Sequence, residues 1–154
     1  GMAYAMNKLV CGIPTLDALA YSVNDFSGVI CPMIDARNDQ VYAAVYRKKD
    51  GRFSRISDYF AGHITELAEM LCEFREDVLI LGDGAPIHYE ALKKTGCLNV
   101  HRADSALFVP RAACTALLAE RQARQGNLSS PFELVPFYLR KSQAERMKEM
   151  KIRS

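Results

Sequence analysis

The chain has 154 residues, 49% hydrophobic and 25% charged with a formal charge of +2, and such ordinary composition predicts one globular domain with a real core. No apolar run approaches the roughly 20 residues needed to cross a bilayer. Met2 to Leu9 has neither the basic start nor the long apolar centre of a signal peptide, so a cytoplasmic protein is expected.

In chain order, Thr15 after Pro14 reads as a helix N-cap, with Asp17 in the first turn and Leu16, Leu19 and Ala20 facing a sheet. Val29 to Ile34 is a nearly all-apolar strand, and Val41 to Arg47 alternates between two faces. Between them lies a charged tip, Asp35-Ala36-Arg37-Asn38-Asp39. The Asp50-Gly51 pair favours a two-residue turn, and Phe53 to Tyr59 is expected to return along the second strand.

The period then changes to that of a helix through Ile64, Leu67, Ala68, Leu71 and Phe74. Val78 to Leu81 reads as a buried strand stopped by Gly82-Asp83-Gly84. Pro86 sits near the start of a second helix that Gly96 ends, Asn99 to Arg102 is a weak strand, and Pro110 opens a third helix that Gly126 stops. After it, Pro131 and Pro136 discourage helix, and Phe132, Leu134, Phe137 and Leu139 are expected to anchor a strap on the body. From Arg140 to Ser154, six basic residues against two acidic ones leave +4, a basic tail read here as a solvated helix.

Three antiparallel strands followed by strands joined through helices predict an α/β fold of the ribonuclease H-like class. The expected form is a single lobe, a mixed sheet of three antiparallel strands plus parallel strands with flanking helices, over residues 1–154 as one domain. Five widely spaced cysteines in apolar surroundings suit reduced core thiols better than a disulfide framework or a zinc site. His63, His88 and His101 are scattered without metal-ligand spacing, and neither a Gly-x-Ser-x-Gly elbow nor a cysteine with an adjacent basic partner offers a nucleophile. No catalytic residue, metal site or cofactor is therefore expected.

Four ordered segments carry a family resemblance: GMAYAMNKLVCGIPTLDALAY at the start, ICPMIDARNDQVYAAVY in the hairpin, VLILGDGA at the buried strand and LVPFYLRKSQAERM near the end. They resemble the second, C-terminal lobe of the TsaB (YeaZ) family of tRNA threonylcarbamoyladenosine biosynthesis proteins, of the actin-like ATPase (glycoprotease-like) superfamily. The resemblance implies that a first lobe, ahead of the matched part, is missing. In that superfamily the hairpin turn wraps phosphates and a later Gly-Gly turn holds adenosine, which singles out Asp35, Arg37, Gly82, Asp83 and Gly84 as remnants of a nucleotide site. The tip has no glycine, which should leave its N–H groups less free to converge on a phosphate, and its carboxylates add repulsion.

The function so implied is that of a non-catalytic scaffold in the modification of adenosine 37 of tRNA, partnered by TsaD and TsaE, with tRNA met only indirectly. Contact with TsaD should be lost without the first lobe. Exposed Met2, Tyr4 and Met6 would then favour a homodimer. The competing readings are an ATPase or metallopeptidase-like enzyme of the same fold, and an RNA-binding module working through the basic tail, which lacks the aromatic residues of a stacking platform.

Overall fold

The structure, a computed structural model, describes residues 1–24, 26–49, 52–96, 99–136 and 139. Its spine is β1 (Val29–Asp35). On one edge of β1 run β2 (Gln40–Ala43) and β3 (Tyr46–Lys49), both antiparallel to it. Their registers are one and the same: Met33 faces Ala43, Ile30 faces Tyr46, and continuing either places Pro32 opposite Ala44. Ala36 N–H donates to the carbonyl of Gln40, so the hydrogen-bonding pairs of this ladder fall on even-numbered β1 residues. Pro32 sits at such a position without an N–H, which accounts for the gap between β2 and β3 at Ala44 and Val45. The expected single strand from Val41 to Arg47 is therefore two segments in one line.

The next strand departs further from expectation. Instead of one run from Phe53 to Tyr59, β4 (Arg52–Arg55) pairs with β3, and β5 (Phe60–His63) pairs with β2. The four residues Ile56 to Tyr59 bulge outward against only Ala44 and Val45. The bulge is satisfied by a side chain: Ile56 N–H donates to the Val45 carbonyl, and Val45 N–H donates to the Ser57 hydroxyl at 2.8 Å. The β3–β4 hairpin closes between Lys49 and Arg52; the Asp50-Gly51 turn itself lies outside the described residues.

On the other edge of β1, β6 (Val78–Leu81) and then β7 (Val100–Arg102) run parallel. Among the described residues, seven segments thus fill five strand positions: β4 with β5, then β3 with β2, then β1, β6 and β7. This is the ribonuclease H-like arrangement, with β1 paired antiparallel on one side and parallel on the other.

Strand alternation divides the core. Val29, Cys31 and Met33, with Val41, Ala43, Val78 and Ile80, pack under α3 (Ile64–Cys72) and α4 (Gly84–Lys94). Leu67 and Leu71 of α3 are fully buried there, each contributing roughly 1.5–3 kcal/mol of transfer free energy. Ile30, Ala44, Tyr46 and Leu81 face the opposite side with Leu16, Leu19 and Ala20 of α2 (Thr15–Tyr21), and α5 (Ala112–Arg124) packs on α2. Helices α4 and α5 end just before Gly96 and Gly126, both at positive φ, as expected.

Three expectations need correction. The N-cap of α2 is Pro14, not Thr15, and no side chain caps that end. Phe132 of the strap is exposed rather than buried, and Leu134 is half exposed, while Leu139 does pack on the second core. Cys72 is disulfide-bonded rather than a reduced thiol, whereas Cys11, Cys31 and Cys114 are free. Burial pushes the Cys31 thiol up to about 12, so it is protonated and unreactive at neutral pH. Cys97, Phe137 and the basic tail from Arg140 lie outside the described residues.

Asp17 fastens α2 to the sheet. Its Oδ1 accepts hydrogen bonds from Tyr46 Oη at 2.5 Å and Tyr59 Oη at 2.8 Å, so one carboxylate ties the helix to β3 and to the bulge. Burial and then the Asp17 bond raise the Tyr59 phenol to about 12, and the same causes hold Tyr46 far above its ordinary value. A phenol with a raised folded pKa contributes stability that is complete below its unfolded pKa of about 10 and lost as pH climbs through the folded value. Urea unfolding should therefore show stability constant on this account up to about pH 10 and falling towards pH 12, and Asp17→Ala should cost about 1–3 kcal/mol at pH 7 while shallowing that alkaline fall.

The parallel seam of β1 and β6 closes through Gly82, at φ +91°, where a Cβ would lie 2.3 Å from the Met33 carbonyl oxygen. Gly82→Ala combines left-handed strain with a backbone overlap, and a loss of more than about 3 kcal/mol or failure to fold is expected. Gly96→Ala, at φ +87° with open space around it, carries the strain alone and should cost about 1–2 kcal/mol in the same unfolding measurement.

Candidate functional site

Parallel strands β1 and β6 end side by side, and their chains then part. β1 turns back into β2 on one side, and β6 continues through α4 to β7 on the other. In α/β sheets such a switch point, outside the carboxyl ends of the strands, is where a ligand crevice forms. Two loops meet there: the hairpin tip from Asp35 to Asp39, and the turn Gly82-Asp83-Gly84.

The tip takes a conformation that its sequence argued against. Arg37, Asn38 and Asp39 have φ of 63°, 52° and 56°, three successive left-handed residues without a glycine. Asn and Asp tolerate that region because their short side chains bond locally; Arg37 does not, at about 1–2 kcal/mol. The turn is held by Ala36 N–H to Gln40 O at 2.8 Å, Gln40 N–H to Arg37 O at 3.1 Å, and Ile64 N–H to Asp39 O at 2.8 Å. Absence of glycine thus does not keep the tip backbone out of the left-handed region.

The Asp35, Ala36 and Arg37 donors of the tip nevertheless have partners already. Asp35 N–H donates to Asp83 Oδ1 at 3.2 Å, and Arg37 N–H donates to Asp35 Oδ1 at 3.3 Å. Asp83 precedes α4 but caps none of its N–H groups; its carboxylate is turned to the hairpin instead. A Cβ on Gly84 would lie 3.1 Å from Asp35 N, so β1's own backbone fills the close approach that the Gly82 and Gly84 pair permits.

All five residues singled out by sequence, Asp35, Arg37, Gly82, Asp83 and Gly84, therefore converge. A sixth joins them. His88, only 3% exposed, places Nε2 3.0 Å from Asp35 Oδ1, giving that carboxylate a ring-nitrogen partner as well as the Arg37 amide. Sequence reading had set His88 aside as scattered, although it falls between Ala85 and Leu92 on the buried stripe of α4. A buried polar residue in an apolar stripe needs a partner, and Asp35 at the neighbouring strand end is it.

The other histidines are placed elsewhere: His63 Nδ1 accepts from Thr65 N–H as the N-cap of α3, and His101 Nε2 lies 3.0 Å from Asp77 Oδ1. Among the described residues no group of three or more His, Cys, Asp and Glu side chains is arranged to hold a metal ion, and no helix is long and apolar enough to cross a membrane. A separate cavity of about 660 Å³ lies between residues 12–16, Ile34 and Tyr42 at the strand ends, Tyr59, and the strap at Leu134 and Val135. It is mostly apolar, and sequence reading did not find it because its walls come from four distant stretches.

Comparison with known proteins agrees with this architecture. The sequence is 27% identical over 144 residues to the tRNA threonylcarbamoyladenosine biosynthesis protein TsaB of Bacillus subtilis, covering 94% of this chain and 61% of that protein. The fold matches YeaZ from Pseudomonas aeruginosa with a TM-score of 0.70 at 20% identity, over 90% of this chain and 64% of the other. It also matches a crystal structure described as an uncharacterized protein with similarity to peptidase YEAZ from Pseudomonas aeruginosa, with a TM-score of 0.71 at 20% identity, over 91% and 63% of the two chains. The chain thus spans about three fifths of the length of the relatives it matches. The family model described as TsaD, tRNA N6-adenosine threonylcarbamoyltransferase, matches residues 1–148, nearly the whole chain, and the protein belongs to that family.

Proposed function

We propose that this chain acts in tRNA threonylcarbamoyladenosine biosynthesis as a non-catalytic scaffold, equivalent to the second lobe of a TsaB-type protein. The observation that carries the non-catalytic part is a pair of internal carboxylates, Asp35 of the hairpin tip and Asp83 of the facing turn, that take up tip amides. A phosphate cradle needs N–H groups free to converge on an anion. Here Asp83 takes the Asp35 N–H and Asp35 takes the Arg37 N–H, so the chain supplies its own negative charge where a phosphate would bring one. A nucleotide would have to displace these bonds and sit beside two carboxylates, an unfavourable exchange.

The pathway assignment rests on family membership and on the likeness to TsaB. In this reading TsaD is the catalytic partner, TsaE the ATPase of the assembly, and tRNA is met through them. The surface that would meet TsaD belongs to the first lobe, so this chain alone is not expected to form that complex.

Calorimetric titration with magnesium-ATP should give no binding tighter than the millimolar range and no hydrolysis. Micromolar binding that is lost in Arg37→Ala would overturn the non-catalytic reading and favour an ATPase. Expression in a strain lacking TsaB, with threonylcarbamoyladenosine measured by mass spectrometry of tRNA digests, should leave the modification absent. Restoration would show that this lobe suffices for the partnership.

A further inference from the structure

The β3–β4 hairpin concentrates positive charge. Its eight described strand residues, 46–49 and 52–55, include five basic ones, Arg47, Lys48, Lys49, Arg52 and Arg55, and no acid. With Asp50 counted between the strands, the stretch carries +4 where the whole chain carries +2. The hairpin projects past the start of β1. Val29, the first residue of β1, already pairs with Arg47, so the rungs of Lys48 with Phe53 and Lys49 with Arg52 lie beyond it. This is the end of β1 opposite the candidate site. The N-terminal stretch that begins with α1 (Met2–Ala5) also meets the sheet at that other end, where residues 12–16 lie beside Ile34.

Cross-strand register sorts these cations by face. Arg47, Lys49 and Arg52 share one face, with Lys49 directly opposite Arg52, and Lys48 and Arg55 share the other with Tyr46 and Phe53. Like charges directly opposite each other are destabilising. Carboxylates offset little of this charge. Arg47 is paired with Glu76, but Arg55 reaches the exposed Asp58 only at 3.9 Å, and Lys48 Nζ donates to the Val23 carbonyl at 3.1 Å rather than to an acid. Among the described residues Lys49 and Arg52 have no ion-pair partner, and both are exposed. Aromatic packing holds the hairpin in place: Phe53 stacks on Tyr46 with centroids 5.3 Å apart, and Tyr21 meets Phe53 edge-on at the same distance. A fixed row of cations, kept together against their own repulsion, is matched by a repeating anion. Because Phe53 is taken up by these rings, the hairpin offers charge without the apolar centre of a protein interface, and nucleic-acid interfaces are the more positively charged kind.

We propose that the β3–β4 hairpin binds the phosphate backbone of RNA, with Lys49 and Arg52 as its principal contacts. The proposal goes beyond the scaffold reading, in which tRNA reaches this lobe through its partners, and rests on that reading for RNA as the polyanion. Fluorescence anisotropy of a labelled tRNA transcript, titrated with the full chain at salt concentrations from about 50 to 200 mM, tests it. Micromolar binding is expected at the lowest salt, weakening as salt rises because each neutralised phosphate releases counterions. Lys49→Gln combined with Arg52→Gln should weaken binding by about fivefold or more and flatten the logarithmic salt slope by roughly 1.5. Lys49→Glu alone should also weaken binding while leaving the urea midpoint level or higher, since it sets opposite charges across the rung. A merely structural role would move both readouts together. Lys148→Gln combined with Lys151→Gln, in the basic tail, should cost less affinity than the hairpin pair.

A hairpin double variant that binds tRNA as tightly as the unaltered chain overturns the proposal. So does a loss no greater than that of the tail variant, or binding indifferent to salt. Displacement of the labelled tRNA by poly-glutamate as effectively as by unlabelled RNA, at equal charge, would assign the hairpin to an acidic protein surface and overturn it as well. Absence of tRNA binding overturns it too, and leaves standing the scaffold reading, which the ATP titration and the tRNA modification assay test separately.

Discussion

The close approach of Gly82 to the end of β1 is the constraint on which the rest of the site depends. With no side chain at Gly82, the backbone of β6 turns within contact of the Met33 carbonyl, and α4 starts against Asp35. Everything functional follows from that packing. Asp83 is brought to the Asp35 amide, and His88, one helical turn beyond Gly84, reaches the Asp35 carboxylate. Any side chain at Gly82 would push the strands apart and separate the two loops. The same seam positions β1 between its antiparallel and parallel neighbours, so the fold and the candidate site share one origin.

This packing also gives the switch point its chemistry. Glycines in such turns can admit a flat ligand or a neighbouring backbone, because both exploit the missing Cβ. Here β1 is the neighbour. The Asp35 and Arg37 amides are matched internally by the Asp83 and Asp35 carboxylates, and the buried His88 is matched by Asp35. A crevice of this fold class becomes a joint between loops when its donors and acceptors are paired within the chain. The scaffold reading of the protein rests on that distinction.

Much of this was legible in the residues. The apolar run Val29 to Ile34, the helical period from Ile64 to Phe74, the apolar run Val78 to Leu81 and the stops at Gly96 and Gly126 placed β1, α3, β6 and the ends of α4 and α5 within a residue or two. What escaped had identifiable causes. Pro32 acts across the sheet, removing an N–H from its partner strand's ladder, which no scan along Val41 to Arg47 can register. The bulge at Ile56 to Tyr59 depends on Ser57 meeting Val45, a tertiary contact. The left-handed tip shows that glycine content is a guide to backbone freedom and not a rule, since Asn38 and Asp39 accept the same region. The five site residues were found because a family resemblance pointed to them, and His88 was missed because its role is defined only by what β1 places opposite α4. The exposed Phe132 was misjudged since an apolar residue near a proline reads alike whether it anchors to its own body or to another surface.

The most direct test of the account is the backbone amide of Asp35 observed by proton–nitrogen NMR. If Asp83 holds that N–H, its resonance and that of Arg37 should stay in place when magnesium-ATP is added to millimolar concentration, and Asp83→Ala should shift the Asp35 resonance and speed its exchange with solvent. Saturable movement of the Asp35 and Arg37 resonances at micromolar nucleotide in the unaltered protein would show that the turn yields its donors to a phosphate, and would contradict the account.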